Sequence, residues 1–201
     1  MGDTRPDNRG RDTFRKFKWA INIISSLYKV FPVKMRCRFL ARHRYMRGKL
    51  GLGIRYALLK SLAQDCGDNV SVYEGVFLLN PQNLRIGNNV SIQPMCYIEC
   101  GKNAEAPLII GDDVSLAHGV TVMCTTHTYD SADIPIKDQP VKTEQVIIEK
   151  NVWVGAKACI LSGLTISSGS IIGAGAVVTK DTEANKIYGG VPAKIIKERV
   201  K

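Results

Sequence analysis

The sequence lacks an apolar run long enough to cross a bilayer. The stretch from Trp19 to Phe31 is interrupted by Lys29 and falls short of the roughly 20 residues that a spanning helix needs. Paired cysteines are also missing. Six cysteines (37, 66, 96, 100, 124 and 159) include no Cys-x-x-Cys pair. Most fall inside the repeats and read as small core residues, and no signal-peptide pattern is seen, so reduced thiols in a cytoplasmic protein are expected. Histidine is scarce: only His43, His118 and His127 occur. Acidic residues are scarce at one end. Residues 1–60 hold 16 Lys+Arg against 3 Asp+Glu, and the rest hold 12 against 15. The basic character therefore belongs to the N-terminal segment alone. No nucleic-acid motif accompanies it, so nucleic acid is not an expected partner. A chain of 201 residues, 45% hydrophobic, is enough for one globular domain with an appended segment.

What is present is a period of six. From 146 to 180 the chain reads VIIEKNVWVGAKACILSGLTISSGSIIGAGAVVTK, with Ile148, Val154, Ile160, Ile166, Ile172 and Val178 six apart. Two residues before each stands Val146, Val152, Ala158, Leu164, Ser170 or Ala176. Six suits neither a helical face nor an alternating strand. It suits a parallel β-helix of stacked triangular coils, which places Val154 over Ile172. One coil cannot bury its own corner, so the stretch needs its neighbours. The phase extends back through Cys66, Val72, Leu78, Ile86, Ile92, Ile98, Ile110, Leu116 and Val122, with an imperfect unit at KNAEAP. Gly87, Gly111, Gly155 and Gly173 each follow an apolar corner, where a tight turn favours a residue without Cβ.

The units ISSGS, IGAGAVVTKD and YGGVPAKIIKER resemble the hexapeptide-repeat acyltransferases, similar to the maltose and galactoside O-acetyltransferases and the polysaccharide O-acetyltransferases. The resemblance runs from Cys66 to about Arg199 and implies an all-β, left-handed parallel β-helix. The handedness comes from the family and runs against the usual right-handed crossover. Three segments follow: a basic, mostly helical segment over 1–62, coils over 63–180 with an inserted loop at 124–145, and an extension over 181–201. Residues 1–12 read as a disordered leader, and Pro32 as a break in the helical part.

The inserted loop carries TTHTYDSADIPIKDQPV. A long excursion from a regular scaffold is usually functional. His127 stands where the family has its catalytic histidine. An acceptor hydroxyl must lose its proton as it attacks a thioester, and an imidazole can take that proton and return it to the leaving thiolate. The resemblance assigns the acceptor to Gln93 and Thr126, Gln93 standing where galactoside and maltose acetyltransferases carry an asparagine. It implies acetyl-CoA as donor, held by Ala156, Ala174, Thr179 and Lys180, with Lys194 and Lys197 toward its phosphates. Ala156 and Ala174 are 18 residues apart, one coil. It also implies a homotrimer with active sites between subunits. Cys124 is three residues from His127, but the family transfers the acyl group directly. His118 reads as structural, His43 as solvated, and Trp153 as packing between subunits or as a ligand contact. The γ-type carbonic anhydrases share the fold and bind zinc with three histidines; here one of the three lies outside the coils, and no metal is expected.

The expected function is acetyl transfer to a hydroxyl of a sugar or surface-polysaccharide precursor. The alternatives are N-acetylation of an amino sugar or antibiotic, and a non-catalytic β-helix used for assembly. Residues 14–60 read either as a cap on the coils or as a peripheral contact with the inner face of the cytoplasmic membrane.

Overall fold

The computed structural model describes residues 11–199 apart from 104 and 106. Of the leader expected over 1–12, only Arg11 and Asp12 fall among the described residues, and they open a helix. Three helices, α1 (Arg11–Lys29), α2 (Val33–Arg42) and α3 (Gly48–Leu62), precede the coils. Pro32 separates α1 from α2 as the N-cap of α2, a position where its missing N–H costs nothing.

The rest is a left-handed β-helix of five complete coils. Its first face stacks Asp65–Cys66, Leu84–Ile86, Leu108–Ile110, Val146–Ile148 and Thr165–Ile166. The second stacks Ser71–Val72, Ser91–Ile92, Ser115–Leu116, Trp153–Val154, Ile171–Ile172 and Lys186–Gly189. The third stacks Phe77–Leu79, Tyr97–Glu99, Thr121–Val122, Cys159–Ile160 and Val177–Val178. Pairing is parallel and in register: Val154 lies over Ile172 and under Leu116. Backbone bonds climb each face, as in Ser71 N to Val90 O (2.8 Å), Ser91 N to Val114 O (3.0 Å) and Ser115 N to Val152 O (3.0 Å). The six-residue period makes the core: Ile92, Leu116, Val154, Ile160, Ile166 and Ile172 are fully buried. Lys194–Glu198 returns antiparallel to Lys186–Gly189 at the C-terminal end of the second face.

The folded corners show why the four glycines lack a Cβ. Gly87, Gly111, Gly155 and Gly173 are not among the left-handed residues. They are small because the next coil is close: a Cβ on Gly155 would sit 2.6 Å from Ala174 N, and one on Gly111 2.7 Å from Lys150 N. The left-handed positions lie elsewhere. At the first corner, between first and second faces, they are Asn69, Asn89, Asp113, Asn151, Gly169 and Asn185. Asn and Asp tolerate this conformation, and here they also form a ladder, Asn69 Nδ2 to Asn89 Oδ1 (3.2 Å) and Asn89 Nδ2 to Asp113 Oδ1 (3.1 Å).

The helices close the N-terminal end of the coils. Phe14 meets Tyr56 with ring centroids 6.0 Å apart. Lys18 and Lys60 hold Asp68 at 2.5 and 3.3 Å, and Arg11 reaches Asp113 at 3.6 Å. Arg55 is buried and donates to the carbonyls of Val72 (2.8 Å), His43 (3.1 Å) and Met46 (2.5 Å). It ties α3 both to the first coil and to the α2–α3 connection. His43 is not solvated as expected. It is half-buried, and its Nδ1–H donates to Phe39 O at 2.8 Å, capping α2.

Candidate active site

The inserted segment is a β-hairpin, not an irregular loop. Thr125–His127 pairs antiparallel with Val141–Thr143, setting His127 opposite Val141. The hairpin leaves the scaffold at the third corner, where the third face turns into the first, because the chain after Val122 departs and rejoins at Val146. Its base is fixed by Glu144 N to Cys124 O (2.8 Å). Farther out, Gln139 is buried and its amide donates to Ser131 O and Ile134 O, both at 2.9 Å. That amide closes the tip, as a repeated turn would have done on the scaffold.

His127 and Thr126 are exposed. Among the described residues the His127 ring has no hydrogen-bond partner, while Thr126 Oγ1 lies 3.4 Å from His127 O. An open imidazole on a pinned two-stranded arm can exchange a proton with a bound hydroxyl. Beneath the arm lies a carboxylate that the sequence reading missed. Glu99 is only 6% exposed and accepts a 2.8 Å hydrogen bond from Thr125 Oγ1. Thr125 and His127 point to the same side of their strand, so Glu99 anchors the side from which the histidine projects. The available signal was an acid next to Ile98 in a strand whose other residues are apolar or aromatic.

Cys124 cannot act as a partner nucleophile. It is fully buried, and burial, with the Glu99 carboxylate beside it, pushes its thiol up to about 12. The thiolate that such chemistry needs is absent near neutral pH.

The other expected site residues divide between two corners. Gln93, half-buried, opens the second corner, between second and third faces, in the second coil. Ala156 and Ala174 lie on this corner in the fourth and fifth coils, linked by Gly175 N to Ala156 O at 2.8 Å. His118 is exposed in the same column of the third coil, and its carbonyl accepts from Lys157 N at 3.0 Å. Thr179 and Lys180, both exposed, belong to the third corner, two coils beyond the hairpin. Lys194 and Lys197 are exposed on the last strand, opposite Gly189 and Ile187. One chain thus puts His127, Thr179 and Lys180 on one corner, and Gln93, Ala156 and Ala174 on another.

Two further residues mark the second corner. Its left-handed position is glycine in three coils, at Gly75, Gly119 and Gly175, but Met95 (φ 63°) and Lys157 (φ 58°) in the other two. A long side chain in this conformation is strained by roughly 1–2 kcal/mol. Such strain collects at functional sites, and Met95 is 63% exposed there. The signal in the sequence was a glycine register broken twice. Trp153 is 52% exposed on the second face, one strand before this corner.

The family described as a hexapeptide repeat of succinyl-transferase matches residues 145–180. A galactoside O-acetyltransferase of Escherichia coli (strain K12) is 32% identical over 72% of this chain and 68% of its own length. Two other curated relatives are spanned over 55% and 64% of their lengths, so the matched part is about half to two thirds of those proteins. Among solved structures, a maltose O-acetyltransferase from Clostridium difficile 630 superposes with a TM-score of 0.69 at 27% identity, covering 82% of this chain and 85% of that one. A hexapeptide-repeat acetyltransferase of Vibrio cholerae O1 biovar eltor, solved with acetyl coenzyme A, shares the fold with a TM-score of 0.71 at 23% identity, over 84% of this chain and 88% of its own.

Proposed function

Because this chain belongs to the hexapeptide-repeat acetyltransferase family, we propose that it moves an acetyl group from acetyl-CoA to a hydroxyl of a sugar or surface-polysaccharide precursor. The observation that carries this reading is the pinned hairpin that displays His127 with its ring free among the described residues. A hydroxyl is too weak an acid to ionise at pH 7, whereas an imidazole titrates near neutrality. A ring nitrogen of His127 takes the hydroxyl proton during attack and gives it to the departing thiolate. Glu99 and Thr125 keep the strand, and with it the ring, in place.

Coenzyme A would supply the activated acetyl thioester. The second corner fits its arm: Ala156 and Ala174 leave the backbone edge open, and around Gly175 an added Cβ would meet nothing within 4 Å. Lys194, opposite Gly189 at that corner, and Lys197, three residues farther along the same strand, are exposed and suit its phosphates. Thr179 and Lys180 would complete the set from the third corner of a neighbouring chain, and Gln93 and Thr126 would face the acceptor.

The split between corners supports a homotrimer. Residues on different corners of one triangular rod converge only when a second copy turns its second corner toward the first copy's third corner. The galactoside enzyme named above supports a sugar acceptor. The concentration of 16 of 28 Lys+Arg in residues 1–60 supports an acceptor assembled at the anionic inner face of the cytoplasmic membrane.

The test is a His127→Ala variant assayed for transfer from acetyl-CoA to candidate saccharides. A fall of about 10²–10⁴-fold in kcat with unchanged thermal melting is expected. An unchanged rate would remove the mechanism and favour an assembly role. Treating the product with mild base removes an ester and spares an amide, which separates O- from N-acetylation.

A further inference from the structure

α1 has two apolar faces. Phe14 and Ile21 turn inward onto the core of coils and α3, and Tyr28 packs with Phe39 of α2. On the opposite side stand Trp19, Ile23 and Leu27, spaced i, i+4 and i+8, which are 66%, 52% and 62% exposed. Beyond the helix end Val30 is 81% exposed, and Val33, which opens α2, is exposed as well. A surface helix normally carries polar residues there.

The cations of this segment divide in the same way. Arg11, Lys18 and Lys60 face the coils and hold Asp113 and Asp68. Lys16, Lys29, Lys34, Arg38 and Arg42 are exposed. Asp12 is the single acid between residues 11 and 60. No helix among the described residues is long and apolar enough to cross a membrane.

We infer that the outer face of α1, continued by the start of α2, lies in the surface of an anionic bilayer. Trp19, Ile23, Leu27, Val30 and Val33 enter the boundary between headgroups and acyl chains, and the exposed Lys and Arg meet lipid phosphates. This rests on reading the N-terminal segment as a membrane contact and not on the transfer chemistry. The charge favours lipid over a second copy. A two-fold interface through this face would set its cations against one another, and protein interfaces are depleted in lysine. The inner face holds the enzyme to α1 while the outer face holds α1 to the lipid.

The experiment is co-sedimentation of the full chain with vesicles of phosphatidylglycerol and phosphatidylethanolamine, and with phosphatidylcholine alone. The parent should bind the anionic vesicles, and lose that binding at high salt or on neutral vesicles. A Trp19→Ser, Ile23→Ser, Leu27→Ser variant should bind about tenfold more weakly or worse, with thermal melting and transfer to a soluble sugar unchanged. A Lys34→Glu, Arg38→Glu, Arg42→Glu variant, whose apolar strip is intact, should lose the anionic binding as well. Equal binding by the parent and both variants, or no binding by the parent, overturns the inference. So does a lower mass for the serine variant in sedimentation velocity without vesicles, which would assign the strip to a second copy. Loss of vesicle binding with intact transfer separates this claim from the proposed activity.

Discussion

The coils and the N-terminal helices place their apolar side chains under opposite constraints. In the coils the periodic aliphatics are sealed inside: Val154, Ile160, Ile166 and Ile172 have no exposed surface. In α1 the apolar residues stand on both sides, and Phe17, Trp19, Ile23 and Leu27 are each more than half exposed. A coil has one inside, fixed by its neighbours above and below, so an aliphatic at the sixth position has one place to go. A helix packed against the end of the stack has a free side, and what stands there is not needed for folding. Side chains in the coils hold the scaffold together, and those on the outer face of α1 are available for another surface.

Three substitutions would break or sharpen that contrast. The largest effect belongs to the coil interior. Ile160→Ala should lower unfolding stability by about 2–5 kcal/mol in urea titrations, because neighbouring coils about 4.8 Å apart cannot collapse into the void. An effect below the range for a surface change would mean that the core is loose. Next comes the strained corner. Lys157→Gly should raise stability by roughly 1 kcal/mol by relieving the left-handed conformation, with a rise in the KM for acetyl-CoA if the corner binds the donor. A loss of stability would show that the lysine is there for packing. The smallest effect belongs to the outer helix. Leu27→Ser should change stability by less than about 0.5 kcal/mol in the same titration, and a larger loss would make that face part of the fold.

Much of the scaffold was legible because six-fold spacing has few structural solutions. The stacking of Val154 on Ile172, the break at Pro32 and the departure of the chain after Val122 could all be read from residue order. That Gly87, Gly111, Gly155 and Gly173 stand where a Cβ is unwelcome was legible, but the cause was not. A required absence of Cβ looks the same in sequence whether a left-handed turn or a neighbouring backbone demands it, and here the backbone does. His43 was read as solvated because its neighbours are basic, yet it caps α2 and its carbonyl receives Arg55. Glu99 was passed over because its partner Thr125 is 26 residues away in sequence, although the two lie on adjacent coils.

The order of residues by itself determined the rod. A six-residue repeat closes a triangle, and each triangle must cover the next to keep its aliphatics from water. It also determined that His127 would stand off that rod, since the insertion has no place in the stack. Only the folded chain decided which corner each functional group occupies, and so that His127 and the Ala156–Ala174 column lie one side of the triangle apart. Corner assignment depends on counting strands and turns through every irregular unit. The count shows two extra residues between Leu78 and Ile86, but only the fold shows that a short helical turn at Pro81–Asn83 absorbs them.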